Sequence, residues 1–228
     1  MNYKDLSIKL VEKCLKHGAD EAEVFLQSSR NLSIEVLNNE IETIREAASH
    51  GVGFRVFVNN RMGFSHCNDL SEDALDNTIK RAVAFAKLTS ADENNVLPSA
   101  KGMTEVEGLY DPSIAEIDME KKISMSLELE KLAMSDKRIS KSSGSGFSES
   151  ETEVFIANSH GLSKSYKSGG CGLGVSVVAE KGEQKNTGGE YCSRRMFKDL
   201  DDLNKIAAKA SEDAWEMLDP VMVKTQKA

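Results

Sequence analysis

The sequence predicts an α+β protein of two related units, each a helix, an antiparallel β-hairpin and a second helix, with the sheets backed by the helices. Two observations carry this. In both halves a Gly-x-Gly opens an alternating apolar run, Gly51-Val52-Gly53-Phe54-Arg55-Val56-Phe57-Val58 in the first and Gly172-Leu173-Gly174-Val175-Ser176-Val177-Val178 in the second. Each run then meets a turn pair, Asn59-Asn60 or Lys181-Gly182, and the returning segment leads into a helix opening at Leu70 or near Leu200. Two units of about 110 residues fit the usual size of a domain.

Taken in order, Tyr3 to His17 predicts a helix, with Leu6, Leu10, Val11, Cys14 and Leu15 on one face and Gly18 as its left-handed cap. Glu23–Gln27 and Leu32–Val36 alternate as strands, and Asn38-Asn39 turns the second into a strand over Ile41–Arg45. The Gly51 strand, Asn59-Asn60 and the strand from Arg61 make the next hairpin. Ser71 is the expected N-cap of the following helix, with Leu70 and Leu75 as a hydrophobic staple and Leu75, Ile79, Ala82, Val83 and Ala86 as the buried stripe.

Thr89–Gly108 loses periodicity and reads as a linker or surface loop holding the domain boundary. A third helix is expected over Asp118–Met134, then strands over Lys141–Ser150 and Glu153–Ala157, a tight turn at Asn158-Ser159-His160-Gly161 and a returning strand over Leu162–Lys167. The last helix buries Leu203, Ile206, Ala207, Ala210, Ala214, Met217 and Leu218 and stops before Pro220. Val221 and Val223 begin a strand-like pattern with no sequence left to complete it, which reads either as an unstructured end or as the start of a further domain.

Composition narrows the function. A formal net charge of −8, with scattered Lys and Arg and no aromatic residues among them, disfavours nucleic acid. No long apolar window suggests a membrane span or a leader, and the expectation is a cytoplasmic protein. Cys14, Cys67, Cys171 and Cys192 are far apart, and none of His17, His50, His66 and His160 is followed by Glu, so neither a zinc knuckle nor a zinc-peptidase helix is written here. Gly169-Gly170-Cys171-Gly172-Leu173-Gly174 precedes a strand rather than a helix, the wrong setting for a phosphate cradle. Ser142–Gly146 reads as a flexible bend, and His66 and Cys67, adjacent on a strand, point to opposite faces. Arg55 and Arg61 flank the glycine-rich hairpin, where a guanidinium can meet a peptide carboxylate or a partner's acid, and Ser65 closes the same hairpin; these three are the candidate substrate-binding residues.

A resemblance spans nearly the whole chain. Gly18-Ala19-Asp20-Glu21-Ala22-Glu23-Val24, Asn39–Ile44, the Gly51–Val58 run with Arg61–Ser65, and Asp69-Leu70-Ser71 resemble the N-terminal domain of the TldD/PmbA family. Leu109-Tyr110-Asp111-Pro112 and Val154–Gly161 resemble its central domain. The resemblance implies an N-terminal domain over 1–100 and a central domain over 109–228, with the family's C-terminal domain absent. It further implies part of a two-subunit cytoplasmic metallopeptidase acting on small unfolded peptides, from a family named early as a modulator of DNA gyrase. The family's zinc motif, His-Glu-x-x-x-His, belongs to the TldD-type subunit and to the domain missing here, so neither a catalytic residue nor a metal ligand transfers to this sequence. Ser176–Glu180 and Tyr191–Arg195 are closer to the PmbA (TldE) type. The expected role is therefore accessory or peptide-positioning, inactive alone, with zinc held by a TldD-type partner; a homodimer is the other assembly, and a non-enzymatic peptide-binding or assembly module the other reading.

Overall fold

The computed structural model describes residues 2–101 and 104–225. Helix α1 (Tyr3–Lys16) is followed by strands β1 (Glu21–Leu37), β2 (Glu40–Val58) and β3 (Arg61–Cys67) and by α2 (Glu72–Ala86). After the connecting segment come a short α3 (Ser113–Glu116), α4 (Met119–Met134), strands β4 (Ile139–Asn158), β5 (Ser163–Lys181) and β6 (Gln184–Arg194), and α5 (Leu203–Glu216). The strands form a sheet in the order β3-β2-β1-β4-β5-β6, and the α+β class expected from the sequence is the one observed.

The segments expected as separate short strands are continuous. Strands β1, β2, β4 and β5 run 17, 19, 20 and 19 residues. The apparent breaks, Ser28–Asn31 and Glu46–His50, are stretches of polar and small residues in which no residue is buried, so the apolar alternation lapses while the strand continues. Because these strands are about three times the usual length, each serves two compact units. Unit 1 comprises Met1–Arg30, Ala48–Leu109 and Glu151–Ser168, and unit 2 comprises Asn31–Ala47, Tyr110–Ser150 and Gly169–Ala228. Each compact unit therefore draws on three separate stretches of the chain.

In unit 1, α1 and α2 cover a core of Leu10, Val24, Leu26, Phe54, Val56 and Ile79, among others. Asn2 caps α1 by accepting from the N–H groups of Lys4 and Asp5 at 3.1 and 3.3 Å, and Gly18 past its end takes φ +96°. Leu15, expected on the buried face, is exposed. Ser71 is the N-cap of α2, but its hydroxyl makes no capping bond; instead the Asp69 carboxylate accepts from Ser71 N–H at 2.8 Å. The connecting segment is docked rather than free: Leu97 is buried, Ala91 bridges Arg61, and Asn158 Nδ2 donates to Pro98 O at 2.8 Å.

In unit 2, α4 and α5 pack together and bury Leu129, Ala133, Ile206, Ala210 and Ala214 against Leu32, Ile34, Leu173 and Val177 of the strands. Met217, expected in this core, is 68% exposed because α5 ends at Glu216, while Leu218 is buried. The Ser-rich stretch at Ser142–Gly146 lies inside β4 rather than in a bend, with Gly144 at φ +116°.

The turns form where the residue types demand. Asn38, Asn39, Asn59 and Asn60 take φ of 54°, 59°, 49° and 58°, the paired positive values of a two-residue hairpin, and Gly182 at φ 63° starts the β5–β6 turn. Residues Val221–Thr225 form no strand, and 226–228 of the expected tail pattern lie outside the described residues.

Candidate functional site

The β2–β3 register places Phe54 opposite Ser65, Arg55 opposite Phe64 and Val58 opposite Arg61. Since successive side chains alternate between faces, Ser65 shares the buried face with Phe54 and packs toward α2. Arg55 lies on the other face. Its Nη2 donates to Glu23 Oε1 at 2.6 Å, while its buried Nε has no hydrogen-bond partner. Arg61 sits beside the hairpin turn, with Nη1 donating to Lys87 O at 3.3 Å. The three expected site residues are thus on one hairpin but do not converge.

The open faces of both units share a device that residue spacing alone does not reveal. On β3, the Phe64 ring lies across Gly53, where an added Cβ would meet Phe64 Cε2 at 3.2 Å. On β6, the Tyr191 ring lies across Gly172 and Gly174, where a Cβ on Gly174 would meet Tyr191 Cδ2 at 2.8 Å. The missing glycine side chains leave room for the aromatic ring. Phe64 and Tyr191 remain 54% and 58% exposed, so the rings present apolar surface outward. Phe25 and His66 complete a cleft of about 420 Å³ beside Phe64. In unit 2, a cleft of about 590 Å³ beside Tyr191 is lined by Arg45, Glu149, Arg194 and Arg195 with several serines. Both clefts open to solvent on the sheet.

The same edge strands carry a glycine on the opposite face. Gly63 on β3 abuts α2, where a Cβ would come to 2.9 Å from Ala86 Cβ and closer still to the helix backbone. Gly188 on β6 abuts α5, where a Cβ would come to 2.5 Å from Ala210 O and 2.7 Å from Ala214 Cα. Each helix therefore lies directly on the edge-strand backbone, which fixes the face on which Phe64 or Tyr191 is displayed.

Several reactive side chains among the described residues are engaged within the fold. Burial pushes the Cys14 thiol up to about 12 and, with Glu149 adding to burial, the Cys171 thiol up to about 11, so both stay protonated and inert at neutral pH. Cys67 donates to Asp69 O at 3.3 Å. Ser145 donates to Ser126 O at 2.8 Å and is buried, which makes it a structural tie. His160 Nε2 lies 3.1 Å from Glu21 Oε1 and His17 Nε2 lies 3.9 Å from Asp76 Oδ1, each with one carboxylate. Among the described residues no three His, Cys, Asp or Glu side chains converge on a point where a metal ion could be held. The donors present do not fit a zinc site, which needs at least three protein ligands.

Comparison with known proteins gives this architecture a lineage. Residues 22–86 match the family profile described as PmbA/TldA metallopeptidase domain 1, and residues 112–218 match the PmbA/TldA metallopeptidase central domain. The chain is 29% identical over 219 residues to a Haemophilus influenzae protein named metalloprotease PmbA homolog, covering 95% of this chain and 48% of that one. It is 27% identical over 220 residues to metalloprotease PmbA of Escherichia coli O157:H7, covering 92% and 47%. A Bacteroides thetaiotaomicron crystal structure described as a modulator of DNA gyrase superposes with a TM-score of 0.87 at 26% identity, covering 98% of this chain and 52% of that one. TldE from Thermococcus kodakarensis shares the fold, with a TM-score of 0.77 at 23% identity over 90% of this chain and 46% of its own. The chain spans about half the length of the curated PmbA relatives in these comparisons. With both domain profiles matched in order along one chain, and the same fold in the crystal structures, this chain belongs to the PmbA/TldD metallopeptidase family.

Proposed function

We propose that this chain is the peptide-positioning part of a PmbA/TldD-type peptidase subunit, of the accessory TldE kind, working in the cytoplasm with a TldD-type partner that holds the zinc. The observation that carries the reading is the combination of a family peptidase architecture with open, aromatic-bearing sheet faces and no group of side chains able to hold a metal among the described residues. Strand β6 pairs with β5 over eleven positions and stands last in the sheet order, so its outer backbone groups are available to an added strand. Strand β3, at the other end, is partly occupied by the Arg61–Ala91 bridge and by Thr89 Oγ1 donating to Met62 O at 2.9 Å.

An extended peptide added to β6 would gain main-chain hydrogen bonds that do not depend on its sequence. Most strands of a folded protein are already paired on both sides or protected at their edges, so such binding favours unfolded peptides. Arg55, Arg61 and Ser65 are retained as candidate peptide contacts on the β2–β3 hairpin, with Arg55 the best placed, because its guanidinium lies on the same face as Phe64, and Ser65 the least, because it faces α2.

The test is zinc content and cleavage of an unstructured peptide, measured for the chain alone and after mixing with a TldD-type subunit. Zinc and cleavage only in the mixture, with cleavage above that of the TldD-type subunit alone, is the expected result. Stoichiometric zinc and cleavage by this chain alone would overturn the accessory role. Peptide binding without any gain in the mixture would point instead to a non-enzymatic peptide-binding module.

A further inference from the structure

The unit 2 cleft is basic in an acidic protein. The formal net charge is −8, yet three arginines line this one cavity: Arg45 on β2, Arg194 at the end of β6 and Arg195 beside it. The carboxylate that reaches it, Glu149, is neutralised by Lys122 Nζ at 2.5 Å, with the two side chains 15% and 5% exposed. Arg194 is held by Asp201 at 2.8 Å, and that carboxylate is shared with Lys205 at 2.7 Å. Arg45 and Arg195 have no hydrogen-bond, ion-pair or ring partner among the described residues. Two guanidiniums, each with five donors in a planar fork, therefore face one cavity with nothing to bind.

We propose that this cleft binds peptides through a carboxylate, with Arg45 and Arg195 as its ligands. The inference rests on the peptide-positioning reading for the identity of the occupant. A guanidinium fork matches a carboxylate with two parallel charge-assisted bonds, and the cavity of about 590 Å³ is large enough for a few residues beyond the anion. Ser33 and Ser193 add hydroxyls suited to peptide amides, and Ser148 is bonded to Tyr191 Oη at 2.9 Å, which holds the ring at the cavity wall. A phosphate ligand is less well served. The glycines at 169 and 170 lie within β5, where the chain runs as a strand and Cys171 pairs with Arg194, so no helix N-terminus offers aligned N–H groups. The carboxylate has two sources, the C-terminus of a peptide or an Asp or Glu side chain.

The experiment follows the arginine Nε–Hε resonances of the isotopically labelled 228-residue chain, with Arg45 and Arg195 assigned from Arg45→Gln and Arg195→Gln. Both residues are exposed, so the variants are expected to fold, which circular dichroism verifies. Three acetylated peptides are titrated: one with a free C-terminus and no acidic side chain, one amidated with an internal Glu, and one amidated with Gln in its place. We expect at least one acidic peptide to shift the Arg45 and Arg195 resonances with at least tenfold tighter binding than the neutral peptide. The resonance of Arg138, already held by Asp136 at 2.7 Å, should stay in place. The Arg45→Gln/Arg195→Gln protein should lose the tenfold preference. A preference for the free C-terminus alone identifies the α-carboxylate as the source, and a preference for the internal Glu alone identifies the side chain. Equal binding of all three peptides, a preference that survives in the double variant, or inorganic phosphate moving the two resonances at lower concentration than either acidic peptide would overturn the inference. If the carboxylate preference holds while mixing with the TldD-type subunit gives no gain in cleavage, the functional reading falls and the cleft assignment stands.

Discussion

Replacing Gly188 by alanine tests how closely α5 is seated on the edge strand that displays Tyr191. The new methyl would sit 2.5 Å from Ala210 O and 2.7 Å from Ala214 Cα. Ordinary contact begins near about 3.5 Å, and Ala214 N lies nearer the methyl than either of these atoms, so helix and strand must separate by at least about 1 Å. Such a gap forfeits a quarter to a half of the dispersion well for atoms across the interface, and the atoms concerned belong to Ile206, Ala207, Ala210 and Ala214, each 3% exposed or less. Overpacking of this kind costs about 1–3 kcal/mol before the lost contacts are added, and the stiffer unfolded chain of the alanine variant returns about 0.4–1 kcal/mol. The expected net loss is about 2–3 kcal/mol. Trp215, the single tryptophan, is on α5 and packs against the unit 2 core, so its fluorescence during urea unfolding reads this interface directly. Gly51→Ala is the control, since a Cβ there meets only Cys67 O at an ordinary 3.6 Å. A Gly188→Ala curve within about 0.5 kcal/mol of the parent, or an equal loss in the control, would refute the close-seating argument.

Three further predictions follow from other contacts. Glu130, 1% exposed on α4, accepts from Asn38 N–H at 3.2 Å and Asn39 N–H at 2.5 Å, pinning the β1–β2 turn; Glu130→Ala should cost about 1–3 kcal/mol in urea unfolding. Glu130→Gln should cost a similar amount, because its amide N–H₂ would face one of the turn donors, and a neutral Gln variant would show the turn needs only one acceptor. The Asp111 carboxyl is held below the usual carboxylate range by the Ser113 hydroxyl and then by Phe197 N–H, at 2.7 and 3.0 Å. A depressed folded-state value means the contribution is present above the unfolded value of about 3.9 and lost as pH falls through the folded one. The stability difference between the parent and Asp111→Asn should therefore narrow from neutral pH toward acid, and a pH-independent difference would count against the pairing. For the thiols, a native-state reagent at mildly alkaline pH should label Cys67 quickly and leave the buried Cys14, Cys171 and Cys192 until denaturant is added; a second fast thiol would contradict the burial.

The repeat was legible in the sequence because glycine, asparagine and helix periodicity are local signals with local causes. Asn38-Asn39 and Asn59-Asn60 form the positive-φ turns their residue types demand. The stripes Leu75–Ala86 and Ile206–Ala214 are buried as their spacing requires. The long strands were not legible, because the exposed stretches Ser28–Asn31 and Glu46–His50 carry no apolar–polar alternation to mark them as paired. Nor was the interleaving of the two units, which follows from that length. Of the candidate site, Arg55 faces the open surface, while the one-residue alternation sends Ser65 with Phe54 to the helix side, a distinction that only the strand register reveals. The Arg45 and Arg195 cleft was missed altogether, since it joins residues about 150 positions apart, beyond the reach of any local pattern.

Glycine shows why residue type alone could not separate scaffold from site. Gly53 and Gly63 are ten positions apart on neighbouring strands, and both are required by something that must come close. At Gly63 that something is the backbone of α2, and at Gly53 it is the ring of Phe64. Gly188 and Gly174 divide the same two tasks in the second unit, against α5 and Tyr191. A glycine beneath a helix constrains stability, whereas a glycine beneath an exposed ring keeps an apolar surface flat against the sheet and open to solvent. A ring laid over a cross-strand glycine also covers bare backbone and steadies the strand pair, even where the ring remains more than half exposed, as Phe64 and Tyr191 do. The pairing occurs in both units, with different registers and different aromatic residues, so both open faces carry a flat, exposed ring. An extended peptide laid across such a face would meet a flat ring and a backbone it can approach, which is the surface a sequence-tolerant peptide-positioning subunit needs.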